Sequence, residues 1–187
     1  MCESIIDSLS LYELGGFKSE DTLLCSTNGQ ITQSHFETLN YLSKMSENSI
    51  IVLGFDNDKK GQNFTQKAKE ALKEHKIELK KPVLKDFNDD LMAFKLLNLN
   101  KDFDKKDLEL AVETKLNEPI RYFLKNHNTI LTEARGKYLN KALFAKDKLM
   151  FFVHKLDSFV DDKELDKSLN LCKKMQAYED KNLKRGR

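Results

Sequence analysis

Cysteine, proline and net charge are all scarce in this 187-residue chain, and each scarcity narrows what the protein can be. Its three cysteines, Cys2, Cys25 and Cys172, stand far apart. None forms a Cys-x-x-Cys pair, so no zinc ribbon is expected, and an odd number argues against a disulfide framework. A reducing compartment, the cytoplasm, is the expectation. No apolar run approaches the roughly 20 residues that span a bilayer. Residues 1–4 lack the basic opening of a signal peptide. A net charge of +2, from 32 basic and 30 acidic residues, rules out a global polycation. Any nucleic-acid surface must therefore come from local segregation of charge. No internal repeat and no low-complexity tract is visible. Hydrophobic residues at 40% and charged residues at 33% fit a folded, soluble composition.

Residues 49–53, Ser-Ile-Ile-Val-Leu, form a β-branched apolar run that reads as a buried strand. It ends in Gly54-Phe55-Asp56-Asn57-Asp58-Lys59-Lys60-Gly61. Side-chain direction repeats every second residue in extended chain, so Asp56 and Asp58 point the same way. Ligands of open α/β sheets lie just beyond the carboxyl ends of strands. Two hard oxygen ligands there suit Mg²⁺, which takes one or two carboxylates plus waters and substrate phosphate.

The periodicity predicts a helix over 4–14, stopped at Gly15-Gly16. A short buried strand is expected over 21–27, a turn at Asn28-Gly29 and an amphipathic helix over 31–46. The strand over 48–55 follows, then a turn at Gly61 and a lysine-rich helix over 63–75. A further strand over 77–84 carries Pro82 near an edge. Strand and helix alternate through residue 85, which implies right-handed crossovers and a parallel sheet. After Leu84 come the acidic cluster 85–90 and a helical stretch over 91–97. No convincing strand follows residue 104. A helix is expected over 104–116 and a new one at Glu118-Pro119. Stripes through Leu131, Ala134, Tyr138, Ala142, Ala145, Leu149, Phe152 and Leu156, and through Leu165, Leu169, Cys172 and Met175, predict two long helices packed as a hairpin. The last four residues, Lys184-Arg185-Gly186-Arg187, read as a frayed basic tail. An α/β domain over 1–97 and an all-α region over 98–187 result.

Three acidic motifs then fall at the carboxyl edge of the expected sheet: Glu3-Ser4-Ile5-Ile6-Asp7, Asp56-Asn57-Asp58, and Lys85-Asp86-Phe87-Asn88-Asp89. Clustered carboxylates repel, so the arrangement is costly without a cation. In order and spacing, these motifs resemble the Toprim domain of topoisomerases, bacterial primases, OLD-type nucleases and RecR proteins. The likeness is greatest to Toprim modules of mobile-element and relaxase-associated proteins, and it covers about residues 1–95. The resemblance implies a Toprim-like parallel sheet with flanking helices. It implies that Glu3 is a general acid/base or metal-linked group, that Asp7 supports it, and that Asp56 and Asp58 bind Mg²⁺ (or Mn²⁺), with Asp86 and Asp89 extending the metal site or only capping the following helix. Asp86 to Asp90 otherwise reads as a helix cap. Lys59, Lys60 and Lys85 flank the carboxylates as phosphate contacts. In the family a hydrophobic strand precedes the glutamate, and here only Met1 and Cys2 do. Glu3 is therefore the site residue expected to be displaced, and homodimerisation through the incomplete sheet edge is expected.

Two functions compete. One is Mg²⁺-dependent phosphodiester chemistry on nucleic acid, as DNA nicking or endonuclease activity. The other is a catalytically degenerate Toprim remnant that binds DNA or protein. His35, His75, His127 and His154 show no ligand spacing and read as surface or packing residues. Tyr122 and Tyr138 read as packing rather than nucleophiles. Lys137, Lys141, Lys146, Lys148, Lys173 and Lys174 read as a solvated helix face, with DNA contact as the alternative. Phe151, Phe152 and Phe159 read as core or a dimer seam.

Overall fold

The computed structural model describes residues 1–46, 48–156 and 162–183. The expected tail at 184–187 and Phe159 lie outside the described residues. The chain divides into two compact units, Met1–Phe94 and Lys95–Arg187.

The first unit has a small parallel sheet flanked by helices. Its elements are α1 (Ile5–Gly15), a 3₁₀ turn (Ser19–Asp21), α2 (Gln33–Ser43), β1 (Ile51–Leu53), α3 (Lys59–Ala71), β2 (Ile77–Leu79) and α4 (Phe87–Leu97). β1 and β2 pair in parallel, with Ile51 opposite Ile77 and Leu53 opposite Leu79. β1 is apolar throughout because it is covered on both faces. Ile51, Leu53 and Phe55 pack with Phe36, Leu39, Phe64, Ala68 and Leu72, from α2, α3 and the residue just beyond α3. The opposite face carries Val52 against Cys2, Leu11 and Phe87, with α1 and α4 behind it. Gly54 is required by this second layer. A Cβ there would lie 2.6 Å from Leu11 Cδ2 and 2.9 Å from Phe87 Cε2.

Several expected elements change. The strand over 21–27 is absent as a strand; the segment touches the sheet only through an isolated parallel bridge between Cys2 and Ser26. Leu23 is 66% exposed, so the apolar run there has no sheet to bury it. The lysine-rich helix begins at Lys59, not Asn63. Gly61 therefore lies in its first turn, because Asp58 caps the helix earlier than the turn chemistry implied. α4 likewise begins at Phe87, inside the acidic cluster. On α1 the periodic residues Ile5, Ile6 and Leu9 are half exposed, while Asp7, Ser8, Ser10 and Leu11 are buried. Burial follows the helix's polar face there, since that face meets the carboxyl edge of the sheet.

Met1 and Cys2 lie within the sheet rather than beside an open edge. The Met1 amino group donates to Val52 O at 2.6 Å, and Gly54 N donates to Met1 O at 3.0 Å. On the other side, Cys2 N donates to Cys25 O at 3.1 Å and Thr27 N donates to Cys2 O at 3.0 Å. A cavity of about 850 Å³ continues this line between residues 22–25 and residues 50–52.

The second unit is helical: α5 (Lys105–Ala111), a π-helical turn (Val112–Asn117), α6 (Glu118–Asn126), α7 (Thr132–Leu156) and α8 (Asp162–Leu183). Asp104 caps α5 in a reciprocal arrangement with Asp107. α6 starts at Glu118 with Pro119 in its first turn, as expected, and follows the π turn directly. Pro119 has no N–H for the preceding turn, and the wider π turn just before it accommodates the loss. α6, α7 and α8 pack on one another. Ala142, Leu149, Phe152 and Met175 are fully buried, as the stripes predict, and Ile120 and Phe123 join them, but the stripe residues Leu131 and Tyr138 are exposed. Lys146 departs from the expected solvated face. It is 8% exposed and reaches Gln176 Oε1 at 3.0 Å and Glu179 Oε2 at 2.7 Å on α8. Among the described residues, no helix is long and apolar enough to cross a membrane.

Candidate active site

The carboxyl end of β1 gathers the acidic motifs through local backbone chemistry. Asp56 follows the strand at once. Its Oδ1 is buried without a hydrogen-bond partner. Burial pushes its carboxyl up to about 7, and the neighbouring charges of Glu3, Asp7, Asp86 and Asp58 push in the same direction. Five carboxylates from three separate stretches thus share one region.

Each of the other four is held differently. Glu3 is well fixed, contrary to the expected displacement. Its carbonyl accepts from Gly29 N at 3.0 Å, because Met1-Cys2 is anchored on both sides. Its side chain is 13% exposed and pairs with Lys60, which is 52% exposed. The hydrogen bond to Glu3 raises the Lys60 ammonium above its ordinary value. Glu3 Oε2 is buried with no partner. Asp7 is anchored at the start of α1: Ser4 Oγ donates to Asp7 Oδ2 at 2.5 Å, and Asn88 N donates to Asp7 Oδ1 at 3.3 Å. Asp58 is the N-cap of α3, with Oδ1 accepting from Gly61 N at 2.8 Å. Asp86 caps α4, with Oδ1 accepting from Asp89 N at 2.8 Å. The cap therefore uses one oxygen of Asp58 and one of Asp86, and Asp89 is buried behind Asp86. Two helix N-termini point at this region, and their partial positive charge favours anions there. Lys59 and Lys85 are exposed beside the carboxylates.

Three further residues, Asn57, Asp90 and Gly61, set this geometry. Asn57 N donates to Lys85 O at 2.7 Å, and its Nδ2 reaches Pro82 O at 3.4 Å, tying the Asp56–Asp58 loop to the acidic cluster. Asp90 accepts from Val83 N at 2.8 Å and Leu84 N at 2.7 Å. Burial pushes its carboxyl up to about 6, against the pull of those two bonds. Gly61 packs against the backbone of Asp56, where a Cβ would sit 2.0 Å from Asp56 O. Of these, only the Asx-type turn signals of Asn57 and Gly61 were visible in sequence.

The histidines serve packing and caps. His35 Nδ1 accepts from Thr32 N at 3.0 Å, His75 meets Asn40 and Ser43, and His127 packs on Phe123 and Tyr178. Tyr122 stacks on Tyr138 with ring centroids 5.2 Å apart. The side chain of His154 is outside those described.

A parallel sheet whose carboxyl edge collects a glutamate, an Asp-x-Asp pair and a third acidic motif defines an α/β domain built around an acidic cluster. The comparison with protein families puts a name to that domain. Residues 1–91 match the family model described as Toprim-like, and this part of the chain is a Toprim domain. No curated protein matches the chain. No solved structure matches it. The domain connects the chain with metal-dependent activity related to nucleic acid in general, and Toprim domains generally bind Mg²⁺. Among the described residues, no three or more His, Cys, Asp or Glu side chains are gathered closely enough to hold a metal ion as they stand. The donor set nonetheless fits a hard cation. Asp56 Oδ1 and Glu3 Oε2 are buried without partners, and both belong to a mutually repelling set of oxygen ligands.

Proposed function

We propose that the Toprim domain is a Mg²⁺-dependent phosphodiester-cleaving site acting on nucleic acid, with DNA nicking or endonuclease activity as its reaction. The observation that carries this reading is Asp56. A carboxyl driven up to about 7, with one buried oxygen unpartnered, is poised to exchange its proton for a cation. Asp56 and Asp58 would hold the ion, with Asp86 as a further ligand. A bound divalent ion supplies charge neutralisation on the phosphodiester and orientation of the attacking oxygen. Glu3 serves as the general acid/base. Its ion pair with Lys60 holds it beside the cluster, and Asp7 is anchored at the start of α1 next to it. Lys59, Lys60 and Lys85 contact phosphate oxygens. Water suffices as the nucleophile, so no tyrosine is required.

The test is relaxation of supercoiled plasmid. Nicking should require Mg²⁺ or Mn²⁺ and disappear in Asp56→Asn with Asp58→Asn, changes that retain hydrogen-bonding side chains at both positions, including the α3 cap. Unchanged nicking in that variant identifies a contaminant and sinks the reading.

A second reading has its own support in the absence of a gathered metal-ligand set among the described residues. The domain is then a degenerate module that binds DNA or protein without cleaving it. Thermal shift separates the two, because an ion binding only the folded state must raise stability. No shift with Mg²⁺ or Mn²⁺, together with retained DNA binding, favours the module.

A second copy of the chain completing the sheet belongs to the same proposal. The carbonyls of Val52 and Cys25 are already taken by Met1 and Cys2, and the cavity beyond Met1, lined by residues 22–25 and 50–52, is where a further strand would enter. Sedimentation as a monomer at high concentration overturns the homodimer.

A further inference from the structure

α7 carries a stripe that neither the core nor the acidic site uses. Lys137, Lys141, Phe144, Lys148, Phe151 and Lys155 recur at steps of four and three. Such steps stack side chains along one face of a helix. The core face of α7 is a different one, marked by the buried Ala142, Ala145, Leu149, Phe152 and Val153. Phe144 is 63% exposed and Phe151 is 45% exposed, so burial does not explain either ring. Of the residues expected as core or a dimer seam, Phe152 is fully buried and Phe151 is exposed. Lysines accompany the rings. Lys148 Nζ lies 4.4 Å from the Phe144 ring centroid, and Lys155 Nζ lies 5.9 Å from that of Phe151. Lys148 also donates to Leu96 O at 2.5 Å, which fixes it beside Phe144. Lys137 and Lys141 extend the positive charge toward the helix start and are exposed. None of the six positions is acidic. Asp147 on the flank has Lys146 Nζ 3.5 Å from its Oδ1.

We propose that this stripe binds a single-stranded polynucleotide, with bases stacked on Phe144 and Phe151 and phosphates held by Lys137, Lys141, Lys148 and Lys155. Alternating aromatic faces and cations match what a single strand presents, since every base has a stacking face and every linkage a charge. A duplex hides its base faces and would leave the two rings without a partner. The rings are seven residues apart, about 10.5 Å along the axis at 1.5 Å per residue. That equals about three steps of a stacked strand at 3.4 Å each, so both rings can engage one strand. The site lies in the second unit and needs no metal. It therefore stands or falls separately from cleavage by the Toprim domain.

The experiment is fluorescence anisotropy of labelled 20-mers of deoxythymidine and of uridine with the full chain, in EDTA and low salt. Saturable binding is expected, with a salt slope of about −2 to −3 from three to four lysine contacts at roughly 0.7 each. Phe144→Leu with Phe151→Leu keeps apolar bulk but removes both stacking faces. It should weaken binding at least tenfold, since each stacked base contributes about that much. Lys137→Glu with Lys141→Glu should weaken binding and flatten the salt slope, and it carries the test if the phenylalanine variant does not fold. Preference between the two oligomers assigns DNA or RNA as the source. The proposal is overturned by absence of binding at low salt, by unchanged affinity in the folded leucine variant, or by a duplex that binds as tightly. It is also overturned if the leucine substitutions change the sedimentation of the chain and leave anisotropy untouched.

Discussion

Replacing Asp56 by Asn should stabilise the protein at neutral pH while abolishing any response to divalent ions. In the folded state the Asp56 carboxyl titrates near 7, against 3.8 for an ordinary aspartate. Between those values the native state holds a proton that the unfolded chain has released. Stability therefore falls as pH rises from about 4 to about 7, and the deficit is complete above that window. A shift of this size converts to roughly 4 kcal/mol at 1.36 kcal/mol per pKa unit. Asp56 is only partly buried, and solvent screening reduces the expected effect to about 1–2 kcal/mol. With a urea slope of about 2 kcal/mol per molar, Asp56→Asn should move the midpoint up by roughly 0.5–1 M at pH 8 and hardly at all at pH 4. Taking the difference between the two proteins cancels the contributions of other groups, including Asp90, whose raised carboxyl acts in the same direction at lower pH. Millimolar Mg²⁺ should recover most of the deficit in the wild type and none in the variant. A midpoint difference that is independent of pH would refute the electrostatic account of this site. So would Mg²⁺ stabilising both proteins equally.

Gly61→Ala should unfold the acidic loop rather than merely stiffen α3. Its Cβ meets backbone at 2.0 Å, and no flexible side chain is there to yield; circular dichroism melts should show a loss of more than about 2 kcal/mol. Asp90→Ala strands the N–H groups of Val83 and Leu84 and should cost about 2–4 kcal/mol, at about 1–3 for each buried donor left unsatisfied, less what the loop recovers by moving. Hydrogen exchange at those two amides checks it, with unchanged protection as the contrary result. Thiol titration with a disulfide reagent should show one fast cysteine, Cys25, and two slow ones. Cys2 and Cys172 are buried, and burial raises both thiols, Cys172 to about 11. Three equally fast thiols in the native protein would contradict the placement of Cys2 within the sheet.

Much of the site could be read from the chain because its chemistry is local. Asp56 and Asp58 follow an apolar β-branched run, and a strand buried on both faces demands such a run. Asp86 to Asp89 precede a helix whose first turn needs acceptors. Periodicity likewise exposed the core of the second unit, since Leu149, Phe152, Cys172 and Met175 repeat at helical steps. Other features depended on which segments meet in space. Residues 21–27 have strand composition, yet only Ser26 bridges to the sheet and Leu23 stays in solvent. Glu3 looks untethered beside a terminus, but backbone bonds to Cys25, Thr27, Gly29 and Gly54 hold Met1 to Glu3 in place. Asn57 and Asp90 brace loops that are distant or unremarkable in sequence. Lys146 leaves its expected solvated face, because α8 supplies Glu179 to it. Sequence by itself determined the residue types, their order and their local turns, which steric and hydrogen-bonding rules decide within a few residues. Only the tertiary structure decided that five carboxylates share one region and that Asp56 bears the electrostatic cost, because repulsion and burial depend on distance through space.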